Sequence, residues 1–231
     1  GNRDNDLWKA FEYAASRNYP AGKVGEGGDP GINGESFEDP FDGVELDRFG
    51  PLPDWMPQDT NGGTSGVGDG SLILRGNGYN YGSGSVITRG YYYDDFVLST
   101  RVTFTNATAL HPATPRQANT EIRFRMRTQG YSLTLDAEQD RITLRRANVW
   151  TVVGGLQSSV PINTGDSFSI SIQCVGSQIR IRVDRAPSQE NVINWNLTNS
   201  EYSSGMSQLS TYAIQEVRYE YFQVSVLDLS E

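Results

Sequence analysis

The residues with the most chemistry to offer are arginines. Arg123, Arg125, Arg127, Arg145, Arg180 and Arg182, with Arg101 ahead of them, alternate with apolar side chains, as in the run Glu121-Ile122-Arg123-Phe124-Arg125-Met126-Arg127. A guanidinium keeps its charge and presents N–H donors in a planar fork, which suits bidentate capture of carboxylate or sulfate. Gathered on one face, these side chains would line a groove for an anionic or polyhydroxylated ligand such as an acidic polysaccharide. The competing use is internal. Glu121, Asp136 and Asp184 hold the same phase of neighbouring runs, and cross-strand pairs with them would contribute about 0.2–1 kcal/mol each. The same three carboxylates could converge across strands, although no two of them stand at a spacing that nominates an acid–base pair.

A second candidate binding set is aromatic. Tyr79 and Tyr81 lie in the glycine-rich stretch GNGYNYGSG, where exposed rings can stack on sugars and offer a polar tip; Tyr91, Tyr92 and Tyr93 follow at a corner. Other chemistry is excluded. His111 is the only histidine, so neither a histidine-based triad nor a multi-histidine metal site is available. Cys174 is the only cysteine and cannot form an internal disulfide; it follows Ile170 and Ile172 at period two and belongs with the core. GVGDG lacks the lysine and the following helix of a phosphate loop.

The elements that position these residues are strands. In the stretch 119–150, Ile122, Phe124 and Met126, then Tyr131, Leu133 and Leu135, then Ile142 and Leu144 alternate with polar residues across short turns. Side chains on a strand point to opposite faces in turn, so this is an antiparallel meander with one apolar and one polar face. SISIQCVGSQIRIRVD predicts a hairpin with Ile170, Ile172, Cys174, Ile179, Ile181 and Val183 inward. Shorter strands are predicted at SLILRG, SVITRG, INWNL and YEYFQVSV, a long one at DDFVLSTRVTF, and an edge strand at Phe37 to Phe41; Gly62 to Gly70 reads as loop. Some twelve strands without intervening helices predict an all-β antiparallel sandwich.

The exception is the N-terminus. Leu7, Trp8, Phe11, Ala14 and Ala15 form one stripe of a helix over 4–19, ended by Pro20, and Gly22 to Gly34 contains six glycines, a flexible tether. The organisation read here is therefore an arm at 1–35 and a sandwich at 36–231. A helix this short needs something to dock on. Leu7, Trp8 and Phe11 would meet either their own domain or a protein partner.

The chain has 231 residues, 36% of them hydrophobic, and a formal net charge of −9, which argues against a general nucleic-acid partner. No apolar run is long enough for a membrane span. Abundant Asn, Ser, Thr, Gly and Tyr, with possible glycosylation acceptors at Asn106 and Asn196, point to an extracytoplasmic protein, whether periplasmic, cell-surface or secreted.

FEDPFDGVELDRF, DGSLIL, YYYDDFVLSTRVTF, EIRFRMRTQGYSLTLD, ITLRRANVW, GDSFSISIQCVGSQIRIRVD and YEYFQVSVL, in that order, resemble the concanavalin A-like lectin/glucanase superfamily. Within it they look like the laminin-G-like and 3-keto-disaccharide hydrolase-like (DUF1080-type) jelly rolls, over about Ser36 to Leu229. The resemblance implies a jelly-roll fold that hosts glycan-binding modules, glycosidases and structural domains. It also implies a structural calcium tying the first and last strands, for which Asp39, Asp42 and Asp228 are the candidates. The E-x-D-x-x-E strand motif of the family-16 glucanases is absent, and DAEQD at Asp136 to Asp140 spans a turn. The expected function is therefore a non-catalytic exported module that binds glycan through a sheet face and loops. An accessory subunit attached through its arm is the alternative, and a glycoside hydrolase by family analogy the third reading.

Overall fold

A computed structural model describes residues 37–39, 41, 55–77, 83–88, 93–109, 118–149 and 151–227. The expected helix and tether, Tyr79, Tyr81, Asp42 and Asp228 lie outside the described residues.

Fifteen strands are described. In chain order they are β1 (Phe37–Asp39), β2 (Trp55–Pro57), β3 (Thr64–Gly68), β4 (Ser71–Arg75), β5 (Ser83–Thr88), β6 (Phe96–Ala109), β7 (Asn119–Met126) and β8 (Tyr131–Asp136). The second half supplies β9 (Arg141–Arg146), β10 (Val152–Ser159), β11 (Ser167–Val175), β12 (Gln178–Ala186), β13 (Glu190–Thr198), β14 (Met206–Tyr212) and β15 (Ile214–Val226). They form two antiparallel sheets. One runs β13-β12-β11-β6-β15-β4-β3 with β1 added on β15; the other runs β10-β9-β8-β7-β14-β5-β2.

The alternation of the sequence is the reason for the pairing. Ile170, Ile172 and Cys174 stand opposite Val183, Ile181 and Ile179 in register, and all six are buried in the common core. From the other sheet, Ile122 pairs with Leu133 and Leu133 with Leu144, and these face the same core. Aromatic rings bridge the layers: Trp55 meets Phe222 edge-on at 5.0 Å between centroids. Polar groups in the interior are satisfied across the gap, since Thr120 Oγ1 and Tyr219 Oη lie 2.7 Å apart. At one flank the backbones nearly touch. A Cβ on Gly84 would collide with the Thr64 carbonyl and the Arg75 backbone, so only glycine fits there.

Three elements depart from the sequence reading. The stretch predicted as loop around Gly62 to Gly70 contains β3, which pairs with β4 through a two-residue turn at Asp69 (φ 53°) and Gly70 (φ 67°), the Asp-Gly chemistry that favours a tight hairpin. Strand β14 was not foreseen, yet it is an interior strand of its sheet, between β7 and β5. Finally, β7 does not keep strict alternation to its end. Met126 pairs with Met206 and Arg123 with Gln208, so three residues on β7 span two on β14. The extra residue is a bulge at Arg125, whose φ is 50°. It turns Met126 away from the core cluster, where alternation had placed it, onto the polar side of the sheet.

Candidate functional site: the outer face of the seven-stranded sheet

Strand alternation sends the residues between the core positions of β9, β8, β7, β14 and β5 to the outer face. Register sorts them into three rows. The first is Arg141, Asp136, Asn119, Tyr212 and Ser83. The second is Thr143, Thr134, Glu121, Ser210 and Ser85, and the third Arg145, Ser132, Arg123, Gln208 and Ile87. Fourteen of these fifteen side chains can form hydrogen bonds. An ordinary solvated face would expose them, but here most are buried: Asn119, Thr134 and Ser210 are 0% exposed, Asp136 and Thr143 1%.

The second and third rows are wired together around Arg123. Its Nε donates to Glu121 Oε2 at 2.6 Å, Nη1 to Gln208 Oε1 at 3.1 Å and to Asn148 Oδ1 at 3.2 Å, and Nη2 to the Tyr212 hydroxyl at 2.7 Å. Gln208 Nε2 continues the chain to Ser85 Oγ at 2.8 Å. Burial acts to lower the Arg123 pKa, but the Glu121 carboxylate and the Tyr212 hydroxyl outweigh it, and the net direction is upward. That guanidinium stays charged. Beside it, Glu121, Arg123, Ser132, Arg145, Arg146, Ala147 and Asn148 line a narrow crevice with no room for a water-sized sphere, far short of an ordinary small-ligand pocket.

The first row is different. Asp136 Oδ1 accepts from the backbone N–H of Glu138 (3.2 Å) and Gln139 (3.0 Å), holding the turn after β8, while its Oδ2 is buried without a partner. Both side-chain atoms of Asn119, together with Thr143 Oγ1 and Arg141 Nε, are also buried and unpaired. Burial pushes the Asp136 carboxyl above its ordinary value, against the opposing pull of the Gln139 and Glu138 N–H groups, Arg145 and Arg141.

The predicted arginines do not share one face. Arg123 and Arg145 lie on the seven-stranded sheet, whereas Arg180, Arg182 and Arg101 lie on the eight-stranded one. Arg125, displaced by the bulge and only 1% exposed, turns to the loops: its Nη2 donates to the Asp94 carbonyl at 2.6 Å and Nη1 to the Tyr202 carbonyl at 3.2 Å. Arg127 is past the end of β7 and donates to Ser204 Oγ at 3.1 Å. On the other sheet, Arg182 pairs with Asp184 at 2.8 Å, Arg101 with Glu220 at 3.1 Å, and exposed Arg180 stands between Gln173 and Asn196. Of the candidate carboxylates, Glu121 and Asp136 share a face and Asp184 does not. Asp39 lies in β1 opposite Phe222; among the described residues no group of three or more His, Cys, Asp or Glu side chains could hold a metal. Asn119, Thr143, Arg141, Gln208 and Tyr212 were not singled out from sequence. For Asn119, Arg141 and Thr143 the only signal there was a place in the meander; Gln208 and Tyr212 lie in β14, which the sequence did not announce.

No family profile matches the sequence, and no curated protein does either. Solved structures do match. The carbohydrate-binding module CBM66 from Bacillus subtilis superposes with a TM-score of 0.53 at 16% identity, covering 71% of this chain and 91% of that one. The exoplasmic/lumenal domain of VIP36, in a Ca2+-bound form, gives 0.60 at 11% identity, covering 85% and 91%. Lectin I-B4 from Griffonia simplicifolia, in its metal-free form, gives 0.60 at 10% identity, covering 83% and 98%. The shared feature is the two-sheet antiparallel β-sandwich. At these identities the likeness is one of architecture.

Proposed function

We propose that this chain is a non-catalytic glycan-binding module that meets its ligand on the outer face of the seven-stranded sheet. The observation that carries the reading is the composition of that face: three registered rows of hydrogen-bonding side chains fixed on strands, of which Arg141 and Arg145 are partly open to solvent. Sugars offer hydroxyl groups that both donate and accept, and rigid strands hold the complementary groups more precisely than loops do. The fold is shared with structures whose names describe carbohydrate-binding modules and lectins, which supports the reading. An extracytoplasmic location and the laminin-G-like or 3-keto-disaccharide hydrolase-like branch of the fold belong to the same proposal, as do Tyr79 and Tyr81 as loop contacts.

A glycan array of neutral and acidic oligosaccharides, followed by amide chemical-shift mapping of any hit, tests it. The expected shifts fall in β7, β8 and β9. Absence of binding across the array, or shifts confined to β11, β12 and β13, would overturn it. A structural calcium near Asp39, Asp42 and Asp228 is a separate part of the proposal: adding calcium to the metal-stripped protein should raise its melting temperature, and an unchanged temperature removes it.

A further inference from the structure

Resting on that reading, we infer that the rim of the sheet, at Asn119, Asp136, Arg141 and Thr143, is a subsite for the vicinal diol of an uncharged sugar.

The four residues are neighbours by register. Asn119 is the first residue of β7 and stands opposite Asp136, the last of β8; Asp136 in turn stands opposite Arg141, the first of β9, and Thr143 follows on the same face of β9. Directly opposed side chains have Cβ atoms roughly 4.5–5.5 Å apart and diagonal ones about 7–8 Å, so Asp136, on the middle strand, stands within reach of the other three. Each carries a buried polar atom without a partner: Asp136 Oδ2, Asn119 Nδ2 and Oδ1, Arg141 Nε and Thr143 Oγ1. An unsatisfied buried polar group costs about 1–3 kcal/mol, and several such groups at one rim call for a partner, whether ordered water or ligand.

The unmet capacity defines the occupant. Asp136 Oδ2 and Asn119 Oδ1 accept, Asn119 Nδ2 and Arg141 Nε donate, and Thr143 does either. A pair of adjacent hydroxyls, each donating once and accepting once, matches that set. A carboxylate or sulfate does not, because it can only accept and would be set against Asp136. The guanidinium best placed to capture an anion, Arg123, is already committed to Glu121, Gln208, Asn148 and Tyr212. Arg141 is half-buried and reaches over to Gln139 on the exposed turn at Glu138, Gln139 and Asp140, so the rim borders solvent at the strand ends.

The experiment is calorimetric titration of the whole protein with neutral gluco-, manno-, xylo- and fructo-oligosaccharides and with oligogalacturonate, for the wild type, Asn119→Ala and Asp136→Asn. Melting temperatures are measured alongside. A neutral oligosaccharide should bind, and each substitution should weaken it at least tenfold without lowering the melting temperature, since each removes an unmet polar group or a buried charge. Retention of wild-type affinity in both variants, or a preference for oligogalacturonate, overturns the diol subsite while leaving glycan binding intact. If the wild type binds none of the sugars, the subsite and the proposed function fall together.

Discussion

Arg123 Nε lies 2.6 Å from Glu121 Oε2, two residues back on the same strand and the same face, with both side chains almost wholly buried. Burial of a matched pair is tolerable, but burial of half a pair is not. Arg123→Ala should destabilise the fold by about 3–5 kcal/mol, because it strands the Glu121 carboxylate. The double substitution Glu121→Leu/Arg123→Met should recover most of that loss. Urea denaturation of the three proteins checks this; a single mutant as stable as the wild type would contradict it.

Asp136 gives a pH signature of definite sign. Its folded pKa is raised by burial, so the native state holds the proton more tightly than the unfolded chain does. The stability this contributes is fully present below the unfolded value, about 3.9, and is lost as pH rises through the folded one. Asp136→Asn abolishes the linkage. The stability of the variant relative to wild type should increase as pH rises from about 4 to 7, followed by thermal melts at each pH. A constant difference would show that the carboxyl titrates normally.

Cys174 is at the core end of β11, and burial pushes its thiol up to about 12. Thiolate is the reactive form. The folded protein should therefore resist a disulfide reagent at pH 8, and one thiol should react at once in denaturant. Rapid reaction without denaturant would place the side chain outside the core.

Gly84 marks a close approach of the two sheets. Gly84→Ala must push β5 from β3 and β4, because the obstacles are main-chain atoms that cannot rotate away. We expect a loss on the order of 1–3 kcal/mol, read as a fall in the denaturation midpoint, against little change for Gly66→Ala, where a Cβ meets nothing within 4 Å.

How far the chain could be read in advance depended on whether apolar residues alternated with polar ones. β7, β8, β9, β11 and β12 did so and were found with their inward residues, apart from Met126. β14 was missed because Met206-Ser207-Gln208-Leu209-Ser210-Thr211-Tyr212 has no apolar period; it is buried on both faces, and Gln208, Ser210 and Thr211 find partners within the sheet's own network. The bulge at Arg125 escaped because nothing local announces it. Its conformation is held by carbonyl groups of Asp94 and Tyr202, distant in sequence. The division of the arginines followed from topology: alternation tells which side of its own strand a residue takes, but not which of two layers the strand joins. The rim residues were invisible as a group, since the pairing that unites Asn119 with Asp136 and Arg141 exists only once three strands are in register.

Arg125 also shapes how the sandwich comes apart. Its guanidinium grips the carbonyls preceding β6 and β14 and lies 3.8 Å from the Asp95 carboxylate, which in turn accepts from the Gly176 N–H in the β11–β12 turn at 2.6 Å. Connections belonging to both layers are thereby fastened to one side chain. Fraying at that end is accordingly a collective event: amide hydrogens at Tyr93, Gly176 and Leu227 should exchange with deuterium at a common rate, as parts of a single knot.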